Sequence, residues 1–519
     1  MIMRHTTWLI AVTCLTALMA CGQQPPAKKK PNILFVITDD QSFPYASAYG
    51  TPGVRTPVFD AVAASGVLFN NAFAAAPQCS PSRAALLTGR NIWQLEEAGT
   101  HSSYFPKKFP VFTALLDSAG YKTGYTGKAW GPGNWKDAGW KNNPVGVAYN
   151  QHTIVPPYKT ISNIDYSANF KAFYQQKQAD QPFFFWVGTH EPHRAYTKGS
   201  GGDTGAVHLP AFLPDDAVIK NDLRDYAEEI AWADAQIGKI IDFLREKGEL
   251  ENTLIVLTSD NGMPFPSAKA TLMEYGTHVP LAVSWKGVIE GGRRTDELVG
   301  LIDLAPTFLQ AAGVAGMPQI SGKSLLPLLT QQTDTARNAY VLTGMERHSA
   351  SRPDNVGYPS RAIRTADYLF VLNCKPDRWP AGDPPPASEA PSPSPDIKPV
   401  GRGYHDIDDP SPSKSFLITH KNEWPQLFHQ GFEKRPAELL YDVRNDPGCT
   451  KNLAADPAFD SVRHALRSQL QEMLTQQGDP RMTDNGDIFE SYPRFGTMRN
   501  FPGFKKKGEY NPAYQHADH

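Results

Sequence analysis

Four oxygen-bearing side chains stand directly after two apolar segments of the chain. Asp39 and Asp40 follow the first segment, and Asp260 and Asn261 follow the second. In open α/β sheets, ligands bind in a crevice at the carboxyl ends of the strands, so two such pairs can converge on one site. Carboxylate and amide oxygens without histidine or cysteine suit a hard cation such as Ca²⁺ or Mg²⁺. An aspartate pair after a strand also serves as a turn or a helix cap, so both interpretations stay open at this point.

The chain contains few cysteines, and one of them has no evident partner. Cys14 and Cys21 belong to the N-terminal apolar segment, while Cys374 and Cys449 lie in the C-terminal part. The latter two could form a disulfide in an oxidising compartment, which would leave Cys79 unpaired. Cys79 is then either a small buried apolar residue or a residue with a chemical role.

Three basic side chains are candidates for binding an anion. Arg83 lies four residues after Cys79, about one helical turn, so its guanidinium can reach back to the cysteine if residues 80 and 81 begin a helix. Lys128 follows a predicted strand, and Lys269 follows a Pro-Ser-Ala sequence. Taken singly, each lysine is better explained as a solvated surface charge.

The elements that position these residues follow an α/β pattern. Apolar segments alternate with helical patterns over residues 31–369, and residues 223–247 give the clearest helix. Continuous apolar segments are typical of buried strands, which predicts a mostly parallel sheet flanked by helices. The candidate strands are residues 33–37, 122–126, 183–187, 253–258, 281–284 and 340–343.

The last part of the chain has a different composition. Residues 379–412 are rich in Pro, Ser, Gly and Asp, which predicts a long excursion or a disordered insertion outside the core. A strand is predicted over residues 439–443 and an amphipathic helix over about 459–476. We therefore expect a smaller C-terminal α+β domain over residues 370–519.

The N-terminus has the features of a bacterial lipoprotein signal. Arg4 precedes an apolar run over residues 8–20, which is too short to span a bilayer comfortably. The run ends in Leu-Met-Ala-Cys, which resembles a lipobox with Cys21 as the lipidated residue, and residues 22–30 then form a tether. The alternative is an ordinary signal peptide with a chance cysteine. We expect export to the periplasm or cell surface, with acyl chains attaching the protein to the outer membrane.

Length and charge set limits on function. The 519 residues exceed what one hydrophobic core usually supports, which favours either a large domain with a smaller one or two comparable domains. The 51 Lys+Arg nearly balance the 53 Asp+Glu, for a formal net charge of −2. Such a balance argues against a general attraction to nucleic acid, and none is expected as a partner.

Residues 79–83 read Cys-Ser-Pro-Ser-Arg and continue as Ala-Ala-Leu-Leu-Thr-Gly-Arg, which resembles the signature of the type I sulfatases. The resemblance extends in order over nearly the whole mature chain. It implies an alkaline-phosphatase-like fold and conversion of Cys79 to formylglycine by a maturation enzyme. A hydrated aldehyde offers two hydroxyls on one carbon, so one can attack sulfur while deprotonation of the other later expels sulfate.

The resemblance also implies roles for the candidate residues. In the family, a divalent cation, usually Ca²⁺ rather than Mg²⁺, is held by residues matching Asp39, Asp40, Asp260 and Asn261, and the modified Cys79 completes the set. The residues that match the family's sulfate-binding cations are Arg83, Lys128 and Lys269. His193 matches the general acid, and His190 is a supporting residue.

Within the family, several segments resemble the N-sulfoglucosamine sulfohydrolases, or heparan N-sulfatases. They are residues 258–267, 190–194 and 439–454. Two positions depart from that group, because Trp130 stands where it has a histidine and Lys269 where it has an arginine. The resemblance implies hydrolysis of a sulfamate or a sulfate ester on a sulfated glycan.

Four residues are candidates for sugar contacts. Arg347 and His348 follow the segment 340–343, while His101 and Trp130 are on predicted loops. They offer cationic, hydrogen-bonding and stacking contacts, although Arg347 is also explained as ordinary surface structure.

Three other functions stay open on the sequence. One is an O-sulfatase that acts on a marine algal polysaccharide. Another is a phosphatase or phosphodiesterase of the same superfamily, although such enzymes prefer a serine or threonine nucleophile and a two-metal set. The third is a lipoprotein that binds sulfated glycan without turnover, which would apply if Cys79 were never modified.

Overall fold

The computed structural model describes residues 29–203, 205–332, 338–385, 403–483 and 485–495. The predicted signal segment, Cys21 and the tether up to residue 28 lie outside the described residues, so those predictions stay predictions. Among the described residues, no helix combines the length and apolar character needed to cross a membrane.

The centre of the molecule is an eight-stranded sheet with the order β4-β3-β5-β1-β6-β7-β2-β8. Its strands are β1 (Asn32–Thr38), β2 (Val67–Phe73), β3 (Lys122–Gly127), β4 (Val147–Ala148), β5 (Phe183–Gly188), β6 (Thr253–Ser259), β7 (His278–Trp285) and β8 (Arg293–Gly300). Neighbouring strands are parallel except where β7 pairs with β6 and β2. The predicted mostly parallel α/β sheet is confirmed.

Helices cover both faces of this sheet. The α-helices of the described residues, including those that do not contact this sheet, are in chain order α1 (Pro57–Ala64), α2 (Cys79–Thr88), α3 (Phe112–Ser118), α4 (Tyr166–Gln175), α5 (Ala217–Glu246), α6 (Glu274–Thr277), α7 (Leu304–Ala311), α8 (Leu326–Leu329), α9 (Pro412–Thr419), α10 (Pro425–Phe432), α11 (Asp460–Gln476) and α12 (Ile488–Ser491). The alternating side chains of β1 separate the two cores. Phe35 packs against Phe308 of α7 on one face, while Leu34 and Val36 belong to the core with Ile240 of α5 on the other.

A second, antiparallel sheet follows in the chain. Its strands are β9 (Val341–Met345), β10 (Ser360–Arg364), β11 (Tyr368–Asn373) and β12 (Glu438–Asp442), in the order β12-β11-β10-β9. The smaller sheet therefore begins at β9, and the boundary predicted between residues 369 and 370 falls inside β11. Cys374 and Cys449 are free thiols, so the structure contains no disulfide between them.

The Pro-rich segment that is predicted to be an excursion is described only at its two ends, residues 379–385 and 403–412. Residues 386–402 lie outside the described part, but the flanking residues Ala381, Tyr404 and Ile407 are buried in one core with Phe416 and Phe432. The two described ends are therefore packed, because their aromatic and aliphatic residues reach a shared apolar cluster.

The two sheets are joined by a buried ion pair, which gives a pH-dependent prediction. Glu274 of α6 accepts hydrogen bonds from Arg364 of β10 over 2.7 Å and contacts His278 Nδ1 over 3.1 Å. Burial opposes ionisation, but Arg364 and His278 lower the pKa of Glu274 from 4.5 to about 2. A carboxyl group with a lowered pKa stabilises the fold above its unfolded-state pKa, and this contribution is lost as the pH falls.

We expect Glu274→Gln to lower the free energy of unfolding by about 3 kcal/mol at pH 7, because Arg364 would keep a buried charge without its partner. The difference from wild type should shrink as the pH falls from 4.5 toward 2. Denaturant unfolding at several pH values measures both effects. A difference that is constant with pH would show that the ionised carboxylate is not the source of the stability.

Candidate active site

The two oxygen-bearing pairs lie side by side at the carboxyl edge of the large sheet. β1 and β6 are adjacent parallel strands whose last residues, Thr38 and Ser259, are paired in register. The carboxylate oxygens of Asp39, Asp40 and Asp260 lie within 4.8 Å of one another, and all three residues are buried. The structure thus brings together residues from the ends of two strands that are far apart in the chain.

Asn261 adds a buried atom without a partner to this group. Its Nδ2 donates to Asp40 Oδ1 over 2.7 Å, whereas its Oδ1 is buried and has no hydrogen-bond partner. An unsatisfied buried acceptor costs about 1–3 kcal/mol. An all-oxygen cluster with an unpaired acceptor has the donor chemistry that a hard divalent cation requires.

The backbone at Asp40 is held in an uncommon conformation. Its φ of 70° lies in the left-handed region, which few residues other than glycine adopt. The Asp40 amide donates to Asp260 Oδ1 over 3.1 Å, and the Tyr226 hydroxyl donates to the Asp40 carbonyl over 3.0 Å. These bonds fix the turn after β1 and, with it, the direction of the Asp40 carboxylate.

Cys79 is the first residue of α2 and is buried beside the carboxylates. Its thiol donates to Asp39 Oδ1, with a distance of 3.5 Å from Sγ. Burial raises the pKa of the Cys79 thiol well above its ordinary value, against the opposing effect of Lys128. The unmodified thiol is therefore protonated at neutral pH and is a poor nucleophile as it stands.

Arg83 connects the helix of Cys79 to two strand ends. Its Nε donates to Asp260 Oδ2 over 2.8 Å, and its Nη1 donates to the carbonyl of Lys128 over 2.8 Å. Its Nη2 is buried without a hydrogen-bond partner and lies 3.9 Å from Asp39 Oδ1. The site therefore has a free cationic donor as well as a free oxygen acceptor.

Two lysines neutralise the carboxylates. Lys128 Nζ donates to Asp39 Oδ2 over 2.6 Å, and Lys269 Nζ donates to Asp40 Oδ2 over 2.7 Å. Burial opposes their charge, but the paired aspartates raise the pKa of Lys128 and of Lys269 above the ordinary value. Both side chains are therefore cations, and neither is a solvated surface charge.

A glycine lets the chain deliver Lys128 to the site. Gly127 ends β3 with a φ of 74°, and a Cβ there would lie 2.0 Å from the carbonyl oxygen of Gly188. The Lys128 amide donates to the same carbonyl over 2.7 Å. Any larger residue at position 127 would push β3 away from β5.

The loop after β5 carries two histidines to the open side of the site. His193 Nδ1 lies 2.6 Å from the carbonyl oxygen of Arg194, and because a carbonyl only accepts, Nδ1 carries a proton. His193 Nε2 points toward the carboxylates, 3.7 Å from Asp40 Oδ2. His190 is exposed and, with His193 and Lys128, lines a crevice of about 610 Å³.

His101 and His348 form a buried pair. His101 Nδ1 lies 3.0 Å from the carbonyl oxygen of His348, and the rings meet edge to face at 4.7 Å. Burial, together with His348 and the lysines of the site, lowers the pKa of His101, so it is neutral at pH 7. Because both rings are buried, a substrate could contact His101 or His348 only with a group that extends to the bottom of the site.

Two predicted sugar contacts are corrected by the structure. The guanidinium of Arg347 is buried and donates to the backbone carbonyls of Tyr492 and Pro493 over 2.8 and 3.1 Å. Arg347 therefore holds the C-terminal segment in place. The indole of Trp130 is also buried, and its Nε1 donates to the carbonyl of Ser80 over 3.0 Å. It supports α2 and offers no face for stacking on a sugar.

The sequence analysis missed one acidic residue of the site. Asp408 comes from the Pro-rich segment, and its Oδ2 accepts from Lys269 Nζ over 2.6 Å. The same oxygen lies 3.9 Å from His193 Nε2. The composition of the surrounding residues predicted an excursion, and only the run of aspartates at 406, 408 and 409 could have drawn attention to it.

The fold and site define a hydrolase of the alkaline-phosphatase-like class. The family model "Sulfatase" matches residues 31–314, and "N-sulphoglucosamine sulphohydrolase, C-terminal" matches residues 268–380. The chain belongs to the sulfatase family, whose members hydrolyse sulfuric esters or sulfamates.

Individual relatives agree with this assignment. N-sulphoglucosamine sulphohydrolase of Homo sapiens is 28% identical over 494 residues, covering 86% of this chain and 91% of that protein. An ulvan-active sulfatase of Formosa agariphila is 27% identical over 463 residues, covering 87% of this chain and 81% of that protein. The similarity therefore extends over most of both chains.

Solved structures share the fold. BT4656, in complex with its substrate D-glucosamine-2-N,6-O-disulfate, has a TM-score of 0.62 at 19% identity and covers 88% of this chain and 100% of its own. The phosphonate monoester hydrolase of Agrobacterium radiobacter has a TM-score of 0.60 at 18% identity, with 87% and 97% covered. At these identities the likeness shows the fold alone.

The support of α2 by Trp130 gives a testable prediction. Trp130→Phe removes the hydrogen bond to Ser80 and part of a buried ring, which should cost about 1–3 kcal/mol of stability. Because Ser80 follows Cys79, turnover of an aryl sulfate should fall as well. Trp140→Phe is the matched control, since Trp140 also packs against Phe105 and donates to its carbonyl over 2.8 Å.

Kinetic and thermal unfolding measurements on both variants separate the two effects. We expect both proteins to lose stability and only Trp130→Phe to lose rate beyond that loss. Equal rates in the two variants would remove Trp130 from the support of the nucleophile.

Proposed function

We propose that the protein hydrolyses sulfate groups, as sulfamates or sulfate esters, from sulfated glycans with a formylglycine at position 79 and a Ca²⁺ ion. The named relatives support the glycan, because one is an N-sulphoglucosamine sulphohydrolase and another is an ulvan-active sulfatase. An O-sulfatase acting on an algal polysaccharide therefore stays the alternative within the same chemistry.

The residues present fit a hard cation. Asp39, Asp40, Asp260 and Asn261 would hold it, because they offer clustered oxygens and Asn261 Oδ1 has no other partner. Burial raises the pKa of Asp260 to about 6, against the opposing effect of Arg83. When bound, the ion would polarise sulfate oxygens as a Lewis acid and stabilise negative charge.

In the proposed reaction, the side chain at position 79 attacks sulfur. The formylglycine, once formed and hydrated, would supply a hydroxyl nucleophile in place of the protonated thiol. The chain's own cations bind the sulfate. Arg83 Nη2, which has no hydrogen-bond partner, would surround the position of a sulfate at Cys79 together with Lys128 and Lys269, where negative charge develops during the reaction.

In the proposed reaction, His193 protonates the leaving group. Since its Nδ1 proton is donated to the Arg194 carbonyl, Nε2 is the atom that exchanges a proton with the substrate. His193 lines the crevice, and its Nε2 lies 3.7 Å from Asp40 Oδ2, so the sugar oxygen or nitrogen of a bound substrate would come close to it. His190 stands beside it on the rim.

The single observation that carries the proposal is the pair of unsatisfied buried atoms at Cys79. Arg83 Nη2 is a donor without an acceptor, and Asn261 Oδ1 is an acceptor without a donor. A sulfate oxygen would accept the hydrogen bond from Arg83 Nη2, and a cation would bind to Asn261 Oδ1. One site therefore binds an anion and a cation together.

Substrate profiling tests the proposal. The purified protein should release sulfate from D-glucosamine 2-N-sulfate or from an ulvan oligosaccharide, and from the aryl ester 4-nitrophenyl sulfate. 4-Nitrophenyl phosphate and its diesters should be poorer substrates. Faster hydrolysis of the phosphate esters would favour a phosphatase, and glycan binding without any release would favour a binding protein.

Export is part of the proposal. The lipobox-like sequence that ends at Cys21, with residues 22–30 as the tether, supports attachment to the outer membrane, where large glycans arrive. A Cys21→Ala variant should lose its acyl chains and leave the membrane fraction.

A further inference from the structure

A short arm of the chain, residues 403–411, is fixed at the crevice by its own backbone. The amide of Tyr404 donates to the carbonyl of Asp383 over 2.8 Å, and the amide of Asp406 donates to that of Ala381 over 3.0 Å. These bonds hold the arm against residues 381–383. Its start is therefore ordered even though the surrounding composition is rich in Pro and Ser.

Buried charges fix the arm on both sides of Asp408. On one side, the Asp406 carboxylate lies 2.8 Å from Arg352 Nη2 and accepts from the Ser349 hydroxyl over 2.7 Å. On the other side, Lys414 Nζ donates to the Ile407 carbonyl over 3.1 Å and to Asp409 Oδ2 over 2.8 Å. Asp408 itself takes no part in these anchors.

The Asp408 carboxylate lies next to two residues of the candidate active site, Lys269 and His193. Its Oδ2 accepts from Lys269 Nζ over 2.6 Å and lies 3.9 Å from His193 Nε2. The Asp408 side chain is 23% exposed, whereas those of Lys269 and Asp40 are 2% and 0% exposed. Asp408 is thus a partly exposed carboxylate beside His193, which itself lines the crevice, so a sugar whose sulfate is at Cys79 and whose leaving-group atom is at His193 would pass close to it.

A carboxylate is an unexpected residue beside a site that binds an anion. Asp408 is outside the four-residue oxygen cluster, and it lies beyond both ranges matched by the family models, 31–314 and 268–380. A carboxylate only accepts hydrogen bonds, so it binds hydroxyl groups and repels anions. Its placement therefore bears on which sugars enter.

We propose that Asp408 is a specificity residue, whose carboxylate accepts a hydrogen bond from a sugar hydroxyl next to the scissile sulfate and repels a second sulfate at that position. This inference rests on the proposed function. It assigns the rim of the crevice a preference for sugars that carry a single sulfate at the reacting position and a free hydroxyl beside it. Proteins commonly discriminate between ligands in this way, by attracting the preferred ligand and repelling its competitor.

Paired substrates test the inference. The probes are D-glucosamine 2-N-sulfate, the same sugar with a second sulfate on O3, and 4-nitrophenyl sulfate, which has no sugar hydroxyl. In Asp408→Asn, the ratio of kcat/KM on the monosulfated sugar to that on the aryl sulfate should fall by about 10-fold or more. The preference for the monosulfated over the disulfated sugar should narrow as well. Asp409→Asn is the matched control and should keep both ratios, because it changes a carboxylate of the same arm that pairs with Lys414.

Each outcome bears on the inference separately. An equal loss on sugar and aryl sulfate in Asp408→Asn would mean that Asp408 acts only through Lys269 or the fold. Unchanged ratios would remove it from recognition altogether. Because Asp40, His193 and Asp408 could also hold a metal ion, loss of calcium from the variant would overturn the inference in favour of a ligand role. If the wild-type protein hydrolyses none of the probes, the proposed function fails and the inference fails with it.

Discussion

Replacing Cys79 by alanine is expected to abolish sulfate release while the protein stays folded. The side chain is small, so alanine leaves only a minor cavity at the start of α2. Loss of a covalent nucleophile lowers kcat by several orders of magnitude, and we expect a loss of at least about 10³-fold. Kinetics on an aryl sulfate, with thermal unfolding as the check on folding, measure the effect.

Cys79→Ser sharpens this prediction. A serine has one hydroxyl, so it can take a sulfate but lacks the second hydroxyl whose deprotonation would expel it. The variant should stop after one turnover as a protein sulfated at position 79, which intact mass measurement detects. Continued turnover by the serine variant would contradict the two-hydroxyl account. Cys374→Ser is the control for loss of a thiol elsewhere, and it should keep the wild-type rate.

Asp260→Asn is expected to remove the bound cation and the activity together. Replacing a residue that only hydrogen-bonds to a metal ligand already weakens metal binding by about 10 to 100-fold. Removing the charge of a ligand itself should therefore lower the metal affinity by at least about 100-fold. Asp260 also accepts from Arg83 Nε over 2.8 Å, and this adds to the loss of rate. Elemental analysis and the rise in Tm on adding Ca²⁺ report the metal without reference to activity.

Asp234→Asn is the matched control for that variant. Asp234 is also a buried carboxylate, but its oxygens accept from the amides of Val58 and Phe59 at the start of α1, each over 2.9 Å. The control should lose stability and keep its calcium. If Asp260→Asn kept full calcium occupancy, or if metal-free wild-type protein kept its full rate, the proposed cation site would be wrong.

Much of the site could be predicted because its residues sit at the ends of apolar strands. Asp39 and Asp260 follow β1 and β6, both of which are completely buried and read as continuous apolar segments. The sheet geometry then fixes where such ends meet. β8 was missed because its sequence begins with charged residues and only its last part is buried.

The errors have a common physical cause, since each depends on contacts between distant parts of the chain. Arg347 follows a strand, which suggested the crevice, but that strand belongs to the smaller sheet and its end faces the C-terminal segment around Tyr492. Asp408 lies in a segment of low apolar content whose order comes from single buried ion pairs, such as Asp406 with Arg352. Neither composition nor periodicity reports such contacts.

Mass spectrometry of the peptide that contains residue 79, on protein whose sulfate release has been measured in the same preparation, tests the central claim most directly. The account predicts an aldehyde or its hydrate at position 79, and a specific activity proportional to the modified fraction. It would be contradicted by full activity in protein whose Cys79 is entirely an unmodified thiol, which burial keeps protonated.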